Sequence, residues 1–358
     1  MYILLAFANN KNFEEATKLT SFMGFVIVSD IKVFSIWSQR ARIGALMRDL
    51  YALYPKTLAE QQLYNVKGEL QRYKRFAYAF ILLHEVLVWS YNLFPLLNYL
   101  INDLWLGIRE VIMELPYYCW MPFDWRGNWR FYPMLIHQMG AGQASFSGQL
   151  ANDLLLSAVA VQLIMHYRRL ARQLETHAAG LGSDTEKKHK KSALACSARD
   201  LQFLRDIIVK HQMVLKLSQE FNEIFGISLF ISFTFTVLII CFVLFHITIG
   251  ASIDSLLMLV FFFFCSWVQI FLICYYAQGV LEASENISQA VYNHNWYDAD
   301  LRYKKIILLI MQRAQKPAKL QATSLVTVTM STMTGMLQIS YKGFAVIRTM
   351  YAREPRKV

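Results

Sequence analysis

Long runs with few or no charged residues recur along this chain and dominate its pattern of hydrophobic and polar positions. A helix needs about 20 apolar residues to cross a bilayer. The pattern predicts six spanning helices, at residues 19–37, 76–101, 133–165, 227–251, 256–281 and 320–341. The clearest are 227–251 and 256–281, whereas 133–165 opens with small and polar residues and is the weakest. The predicted fold class is therefore an all-α, polytopic membrane helix bundle.

The first residues predict part of a further helix. Residues 2–8 are apolar but too short to cross a bilayer, and they lack the basic flank of a signal peptide. We interpret residues 1–12 as the remnant of a first helix and an outer loop. The predicted bundle thus has six complete spans plus this remnant.

Composition agrees with a membrane protein and argues against other classes. Of 358 residues, 56% are hydrophobic and 17% are charged, whereas about a quarter are charged in soluble domains. The net charge is +11, but the basic residues lie at the ends of apolar runs rather than in one polar module, which argues against nucleic-acid binding. The five cysteines have no metal-ligand spacing, so neither a metal, a cofactor nor a disulfide framework is predicted.

The distribution of Lys and Arg predicts which connections are cytoplasmic. Connections 40–75, 166–220 and 282–319 contain 8, 11 and 6 of these residues, whereas connections 104–130 and 252–255 contain 3 and none. Because cytoplasmic loops carry the excess of Lys and Arg, the three rich connections are assigned to the inside. The tail from Lys342 onward holds five more on the predicted outside, against this rule.

The cytoplasmic connections are predicted to be helical. Leu204, Ile207, Ile208, His211 and Leu215 have the spacing of an apolar stripe on a charged helix. Such helices either pack together under the bundle or lie on the membrane surface. Several of them in one chain favour a packed intracellular layer, with 178–191 as the flexible loop.

A basic segment containing Pro317 precedes the last apolar run. The residue before a proline disfavours helix, and proline suits the first turn of a new helix. We therefore predict that a cytoplasmic helix ends at Lys316 and that the last spanning helix follows Pro317 directly. Polar residues recur every three or four positions along that helix: Thr323, Thr327, Ser331, Thr334 and Gln338. The stripe either lines water or permits close helix packing, and its length favours water.

Charged residues inside the spans form a further prediction. Lys32 and Glu85 both lie roughly 12–15 Å from the cytoplasmic ends of their helices at 1.5 Å per residue. Since an unpaired charge at that depth is costly, we predict that the two pair; contact of each with water or with another partner is the alternative. His84 and Glu85 start a metallopeptidase pattern, but Val88 stands where its second histidine is required.

Several motifs carry a resemblance to a known family. They are LEASENISQAVYNHNWYDADLRYKKIILLIMQRAQKP with LQISYKGF near the C-terminus, MPFDW and YPMLIHQ before the fourth helix, HYRRLARQL after it, and FNEIFGISLFISF in the next. With these motifs the chain resembles insect odorant receptors, in particular the odour-tuned subunits, from Phe13 onward. It departs from the family's usual pattern at Ala322-Thr323-Ser324 and at Gly343.

The resemblance implies seven helices, an inside N-terminus and an outside C-terminus. It implies a function: binding small volatile odorants and gating a non-selective cation channel as a hetero-tetramer with the co-receptor. The location implied is the plasma membrane of olfactory sensory neurons, surrounded by membrane lipid, and no enzyme activity is expected. A transporter of a small apolar or amphipathic solute is the alternative, although transporters tend to have internal repeats and none is found. The signatures of G-protein-coupled receptors are absent.

Spans and resemblance together divide the chain into six parts. These are the remnant and outer loop (1–12), helices 2–4 with cytoplasmic extensions (13–174), a cytoplasmic loop and amphipathic helix (175–220), helices 5 and 6 (221–281), a cytoplasmic anchor helix (282–317), and the pore-lining last helix with a short outer tail (318–358).

The resemblance also implies two sets of site residues. The expected odorant-binding residues, in the outer half of the bundle, are Phe22, Phe25, Trp89, Asn92, Gly142, Phe146, Phe262 and Cys265. The expected pore residues are Thr334, Gln338, Phe344, Ile347 and Arg348.

Overall fold

The computed structural model describes residues 13–107, 115–117, 129–179, 190–249, 253–324 and 326–353. The described residues form α1 (Phe13–Leu53), α2 (Leu58–Leu63), α3 (Val66–Tyr99), α4 (Phe131–Thr176), α5 (Lys190–Ile249), α6 (Ile253–Asn293), α7 (Leu301–Ala314), β1 (Gln321–Ala322), β2 (Val326–Thr327) and α8 (Met330–Arg353). A π-helical turn, Leu100–Trp105, extends α3, and a 3-10 turn, Trp296–Asp298, precedes α7. The predicted remnant at 1–12 lies outside the described residues.

The all-helical membrane bundle is confirmed. Within the described part of the chain, four helical stretches are long and apolar enough to cross a membrane: Val66–Trp105, Phe131–Thr176, Ser197–Thr248 and Val260–Asn293. Of the other two predicted spans, 19–37 falls in α1 and only the second half of 320–341 falls in α8; these helices have 41 and 24 residues. These two helices are more polar, because α1 contains Asp30 and Lys32 and α8 contains several hydroxyl residues.

Helices α1, α3, α4, α5 and α6 continue well past the predicted membrane boundaries. α5 alone has 60 residues, so it is about 90 Å long at 1.5 Å per residue. The amphipathic segment before residue 220 and the fifth span are one continuous helix, so the backbone has no break at that predicted boundary. The reason is local, because no proline interrupts 190–249 and buried residues continue at helical spacing through Leu217, Phe221 and Phe225.

The helices form a packed layer at one end of the bundle. We call this end, where α7 lies, the basic end. Tyr303, Ile307 and Ile310 of α7 are buried, and they belong to one apolar core with Leu204 and Ile207 of α5. Asp300 caps α7 by accepting a hydrogen bond from the Leu301 N–H at 2.7 Å. Packing between helices, rather than lying singly on a surface, is thus the arrangement found.

A β-hairpin, not a helix, follows Pro317. Strand β1 pairs antiparallel with β2, and the Val328 N–H donates to the Leu320 carbonyl at 2.8 Å. The prediction that the last helix follows Pro317 directly was therefore wrong, since α8 begins at Met330. Thr323 and Thr327 consequently lie in the hairpin rather than on the last helix, and Thr323 has a left-handed φ of 77°.

Side chains of two other helices explain why the hairpin forms. The Asn222 side chain of α5 donates to the Lys319 carbonyl at 2.8 Å and accepts from the Gln321 N–H at 2.9 Å. The Ser284 hydroxyl of α6 accepts from the Ala318 N–H at 2.9 Å. These side chains supply the hydrogen-bond partners that a helix would otherwise provide for the three backbone groups. The hairpin is thereby attached to both α5 and α6.

Candidate ligand site and exposed face of the last helix

Four helices bring aromatic rings together near the middle of the bundle. The Phe25 ring of α1 lies 4.6 Å from the Phe146 ring of α4 and 5.8 Å from the Phe262 ring of α6, centroid to centroid. The His84 ring of α3 lies 6.3 Å from that of Phe146. We call these four residues the aromatic cluster. Three of them belong to the set expected to bind odorant, and the structure places the Phe25 ring in contact range of both Phe146 and Phe262.

A second contact group lies around Tyr117. The Tyr117 hydroxyl donates to Asn92 Oδ1 at 3.0 Å, and its ring stacks 5.4 Å from that of Tyr91. The Gln138 side chain donates to the Tyr117 carbonyl at 2.9 Å and accepts from its N–H at 3.1 Å. A Cβ at Gly142 would lie only 2.5 Å from the Tyr117 hydroxyl, so this close approach requires glycine. Asn92 and Gly142 are thus joined by Tyr117, which the sequence did not single out.

A group of polar and charged side chains lies two helical turns from the aromatic cluster. Lys32 Nζ lies 2.8 Å from Asp153 Oδ1 and 3.0 Å from Oδ2, and both side chains are only 1% exposed. Gln269 Nε2 donates to Asp153 Oδ2 at 2.6 Å. We call these three residues the polar layer. Each lies seven residues after a phenylalanine of the cluster on its own helix, so α1, α4 and α6 run in the same direction and the layers are about 10 Å apart.

The polar layer corrects the predicted pairing of Lys32 with Glu85. Lys32 pairs instead with Asp153, and Glu85 accepts from Gln143 Nε2 at 3.0 Å. The cause is the close contact of α1 with α4, where a Cβ at Gly148 would lie 2.5 Å from Val33 Cγ2. Small residues permit such approach between membrane helices.

The remaining expected ligand residues lie elsewhere. The Trp89 side chain is 47% exposed on the outside of the bundle, so it does not join the cluster. Cys265 is buried one turn from Phe262 on α6 as a free thiol. Phe22 belongs to α1, but its side chain lies outside the described part of the structure.

A groove of about 470 Å³ opens on the outer surface between α1 and α4. Its lining residues are Ser29, Asp30, Val33, Phe34, Trp37, Ala144 and Ser145. Two of these lining residues are bonded to each other, because Ser29 Oγ of α1 donates to the Ser145 carbonyl of α4. None of the four residues of the aromatic cluster lines this groove.

The expected pore residues divide between two faces of α8. Thr334, Gln338 and Arg348 are exposed in the isolated chain. Phe344 is 8% exposed, and it packs with Ile347 against Cys241 and Phe245 of α5. In this conformation the Phe344 side chain occupies the contact with α5, and its exposure to a pore stays a prediction.

Gly343 explains part of this contact. A Cβ at position 343 would lie 3.2 Å from the Cys241 sulfur, so a larger residue would push α8 away from α5. The glycine thus permits the close seating of Phe344. The departure from the family pattern at Gly343 is consistent with a tight α5–α8 contact.

Titratable and metal-binding groups define no catalytic site in the described residues. Within them, no group of three or more His, Cys, Asp or Glu side chains could hold a metal ion. Nδ1 of His84 contacts the Phe80 carbonyl of its own helix at 3.0 Å. With its spanning helices, its aromatic cluster and one helix whose polar face is exposed, the chain has the architecture of a helical membrane protein.

Comparison with known proteins identifies the family to which the chain belongs. The profile of the 7tm Odorant receptor family matches residues 12–341. The chain belongs to this odorant receptor family, whose members are receptors rather than enzymes. It is 45% identical to putative odorant receptor 85d of Drosophila melanogaster, covering 98% of this chain and 82% of that protein. It is 41% identical to odorant receptor 85b of the same organism, over 99% and 87%.

Solved structures have the same fold. The insect olfactory receptor OR5 from Machilis hrabei, in complex with eugenol, superposes with a TM-score of 0.78 at 16% identity. The match covers 97% of this chain and 85% of that one. At this identity the likeness is one of fold.

Proposed function

We propose that this chain is an odour-binding subunit that takes small volatile odorants at the aromatic cluster. In this proposal it gates a non-selective cation channel as a hetero-tetramer with the family co-receptor, in the plasma membrane of olfactory sensory neurons. The single observation that carries the proposal is the meeting of Phe25, His84, Phe146 and Phe262 from four helices.

The chemistry of the cluster suits such ligands. Binding sites for small molecules are mostly apolar and aromatic, with few polar groups that orient the ligand. A ligand among these rings contacts α1, α3, α4 and α6 at once, so its binding biases the relative positions of four helices. A ligand shifts a conformational equilibrium only through such differential contacts.

The exposed polar face of α8 supports the channel part of the proposal. Thr334, Gln338 and Arg348 are exposed on a helix of membrane-spanning length. Polar and charged groups are costly against lipid and usually face water or protein. In an assembly of several subunits, this face can line a shared aqueous path, with Arg348 contributed by a minority of the subunits.

The alternative of a transporter receives less support. Intramembrane charges often mark a substrate path, but Lys32 and Asp153 neutralise each other at 1% exposure. Glu85 accepts a hydrogen bond from the Gln143 amide, which holds the carboxylate in place without neutralising its charge. These groups therefore have structural partners already.

The ligand site is tested by mutation and recording. The chain is expressed with the co-receptor, and currents evoked by an odorant panel give the concentration for half-maximal response. We expect Phe146→Ala to raise that concentration about tenfold or more, since a buried aromatic side chain contributes about 1.5–3 kcal/mol by apolar burial. Phe264→Ala is the matched control, because Phe264 lies on α6 with 47% of its side chain exposed outward. Equal effects of the two substitutions would contradict the proposed site.

The pore face is tested by cysteine accessibility. Gln338→Cys is expected to react with an aqueous thiol reagent and to alter the current, whereas Ser340→Cys, at a buried position of the same helix, is expected to remain unreactive. Phe344→Cys and Ile347→Cys are expected to react mainly when odorant is present, if gating turns α8 away from α5. Equal reactivity of Gln338→Cys and Ser340→Cys, or modification without any change in current, would refute the proposed face.

A further inference from the structure

The hydrogen bonds of the polar layer have a fixed direction. Asp153 is paired with Lys32 as a carboxylate and can only accept hydrogen bonds. Gln269 must therefore present its Nε2 to Asp153, which leaves its Oε1 on the other side. Gln149 donates from its Nε2 to that oxygen at 3.0 Å. The ion pair thus determines the orientation of both amides.

Because each amide donates toward Asp153, the last acceptor in this series of hydrogen bonds, Gln149 Oε1, has no donor of its own in the described part of the chain. Gln149 Oε1 is buried and has no donor within hydrogen-bond distance among the described residues. The Gln149 side chain as a whole is 7% exposed. Asn152 is in the same situation, because its Nδ2 faces Asp153 at 3.5 Å and its Oδ1 is buried without a donor in the described structure. A buried acceptor without a donor costs about 1–3 kcal/mol.

Gln149 lies between the two layers. It follows Phe146 by three residues and precedes Asp153 by four on α4, so all three share one face of the helix. Its Cα lies roughly 4.5 Å from the level of Phe146 along the axis. A molecule in contact with the Phe146 ring is therefore within reach of the Gln149 side chain.

The hydroxyl groups at the same level do not supply the missing donor. Ser266 of α6 donates to the Phe262 carbonyl at 2.9 Å, and Ser29 of α1 donates to the Ser145 carbonyl. Each hydroxyl has one proton to donate. The acceptor of Gln149 is thus left for a donor that enters the site.

We propose that Gln149 Oε1 is the polar recognition point of the odorant site and that it accepts a hydrogen bond from a hydroxyl-bearing odorant, an alcohol or phenol. This inference rests on the proposed odorant site at the aromatic cluster. Ketones, ethers and esters offer only acceptors, so they leave the Gln149 oxygen unpaired. A site built to bond a hydroxyl discriminates strongly against analogues that lack it.

The test uses isomers that differ only in the donor. The probes are 1-hexanol against methyl pentyl ether, and benzyl alcohol against anisole. Half-maximal concentrations are measured for the chain expressed with the co-receptor. Stabilisation of the detergent-purified chain against heat by the same probes measures binding separately from gating. We expect each alcohol to act at about tenfold lower concentration than its isomer, in line with a 1.4 kcal/mol preference.

Two variants test whether Gln149 causes the preference. Gln149→Met keeps the side-chain volume and removes Oε1 of Gln149. This change leaves Oε1 of Gln269 without its donor, so a double variant, Gln149→Met with Gln269→Leu, removes that oxygen as well. We expect both to bring the alcohol-to-ether ratio near one, with the larger change in the alcohol response. Gln278→Met is the matched control, because Gln278 is an α6 amide bonded to Glu282 toward the basic end; it should retain the native ratio.

The possible outcomes separate the inference from the proposed function. Equal potency of isomers in the native chain, or an equal loss for both in Gln149→Met, would overturn the inference and leave the odorant site standing. A preference that survives Gln149→Met would also overturn it and would indicate that another group recognises the hydroxyl. If no probe evokes current, the proposed gating function fails for these compounds. Thermal stabilisation then decides alone: alcohol-selective stabilisation lost in Gln149→Met supports the inference, and any other result overturns it.

Discussion

Breaking the ion pair between Lys32 and Asp153 should strongly destabilise the chain. Both side chains are 1% exposed and the shorter Nζ–O distance is 2.8 Å. At that distance, with an effective dielectric constant near 20, the Coulomb attraction is about 6 kcal/mol. Desolvation offsets much of it in the intact pair, but removing one partner leaves a buried uncompensated charge, which costs about 3–5 kcal/mol. We therefore expect Lys32→Met and Asp153→Asn each to lower the free energy of unfolding by that amount.

The double variant distinguishes pairing from simple loss of packing. Lys32→Met with Asp153→Asn leaves no buried charge, and the new amide oxygen can still accept the hydrogen bond from Gln269. It should therefore be more stable than either single variant, with a coupling energy of about 2 kcal/mol or more, within the range for groups in contact. Glu85→Gln combined with Lys32→Met is the control, and these two effects should add because Glu85 is bonded to Gln143.

Thermal unfolding of the detergent-purified chain, followed by size-exclusion chromatography, measures these effects. A loss of 1 kcal/mol lowers the midpoint by roughly 2 °C for a chain of this size or somewhat smaller, so each single variant should lose about 6–10 °C. The reasoning is refuted if the single variants melt like the native chain. It is also refuted if the double variant is no more stable than the worse single one.

Three further predictions follow from other contacts. Gly148→Leu should destabilise the chain by about 1–3 kcal/mol by overpacking, because even a Cβ there would lie 2.5 Å from Val33 Cγ2; an unchanged melting midpoint would contradict this. Asn286, in the one N-x-S/T sequence and predicted to be cytoplasmic, should carry no glycan in insect cells, and a mobility shift on glycosidase treatment would reverse the sidedness. Burial, and then the neighbouring His177, lower the pKa of His294, so its contribution to stability is present above its unfolded pKa of about 6.5 and is lost as the pH falls below it. The melting temperature should therefore decrease when the pH is lowered from 7.5 to 5.5. His294→Phe should make this decrease smaller; an equal decrease in the variant would reject this role for His294.

The spanning helices were predictable from the sequence because their apolar runs have the length that a bilayer requires. Their ends were not, since α5 continues from the basic end through the membrane without a breaking residue. The hairpin after Pro317 was missed for a different reason. Proline marked the end of one helix correctly, but the partners of the following backbone groups, Asn222 and Ser284, are about 95 and 35 residues away along the chain and have no local signal.

The candidate site was predictable in part, because helical periodicity shows which residues of one helix share a face. The resemblance, applied helix by helix, led to Phe25, Phe146 and Phe262, which meet in the structure. Helical periodicity identifies which residues share a face, but not which helices are neighbours. Lys32 was therefore assigned to Glu85 instead of Asp153. Tyr117 was missed because it lies outside the periodic segments.

The length of α5 has a mechanical consequence. At one point the helix is attached to the hairpin through Asn222, and at another it supports Phe344 of α8 through Phe245. These two points are 23 residues apart, or about 35 Å along a straight helix. A rigid tilt of about 5° around Asn222 would displace the Phe245 position by about 3 Å over that lever arm. A small change in the angle of α5 at the basic end therefore becomes a displacement of several ångströms where α5 contacts the last helix.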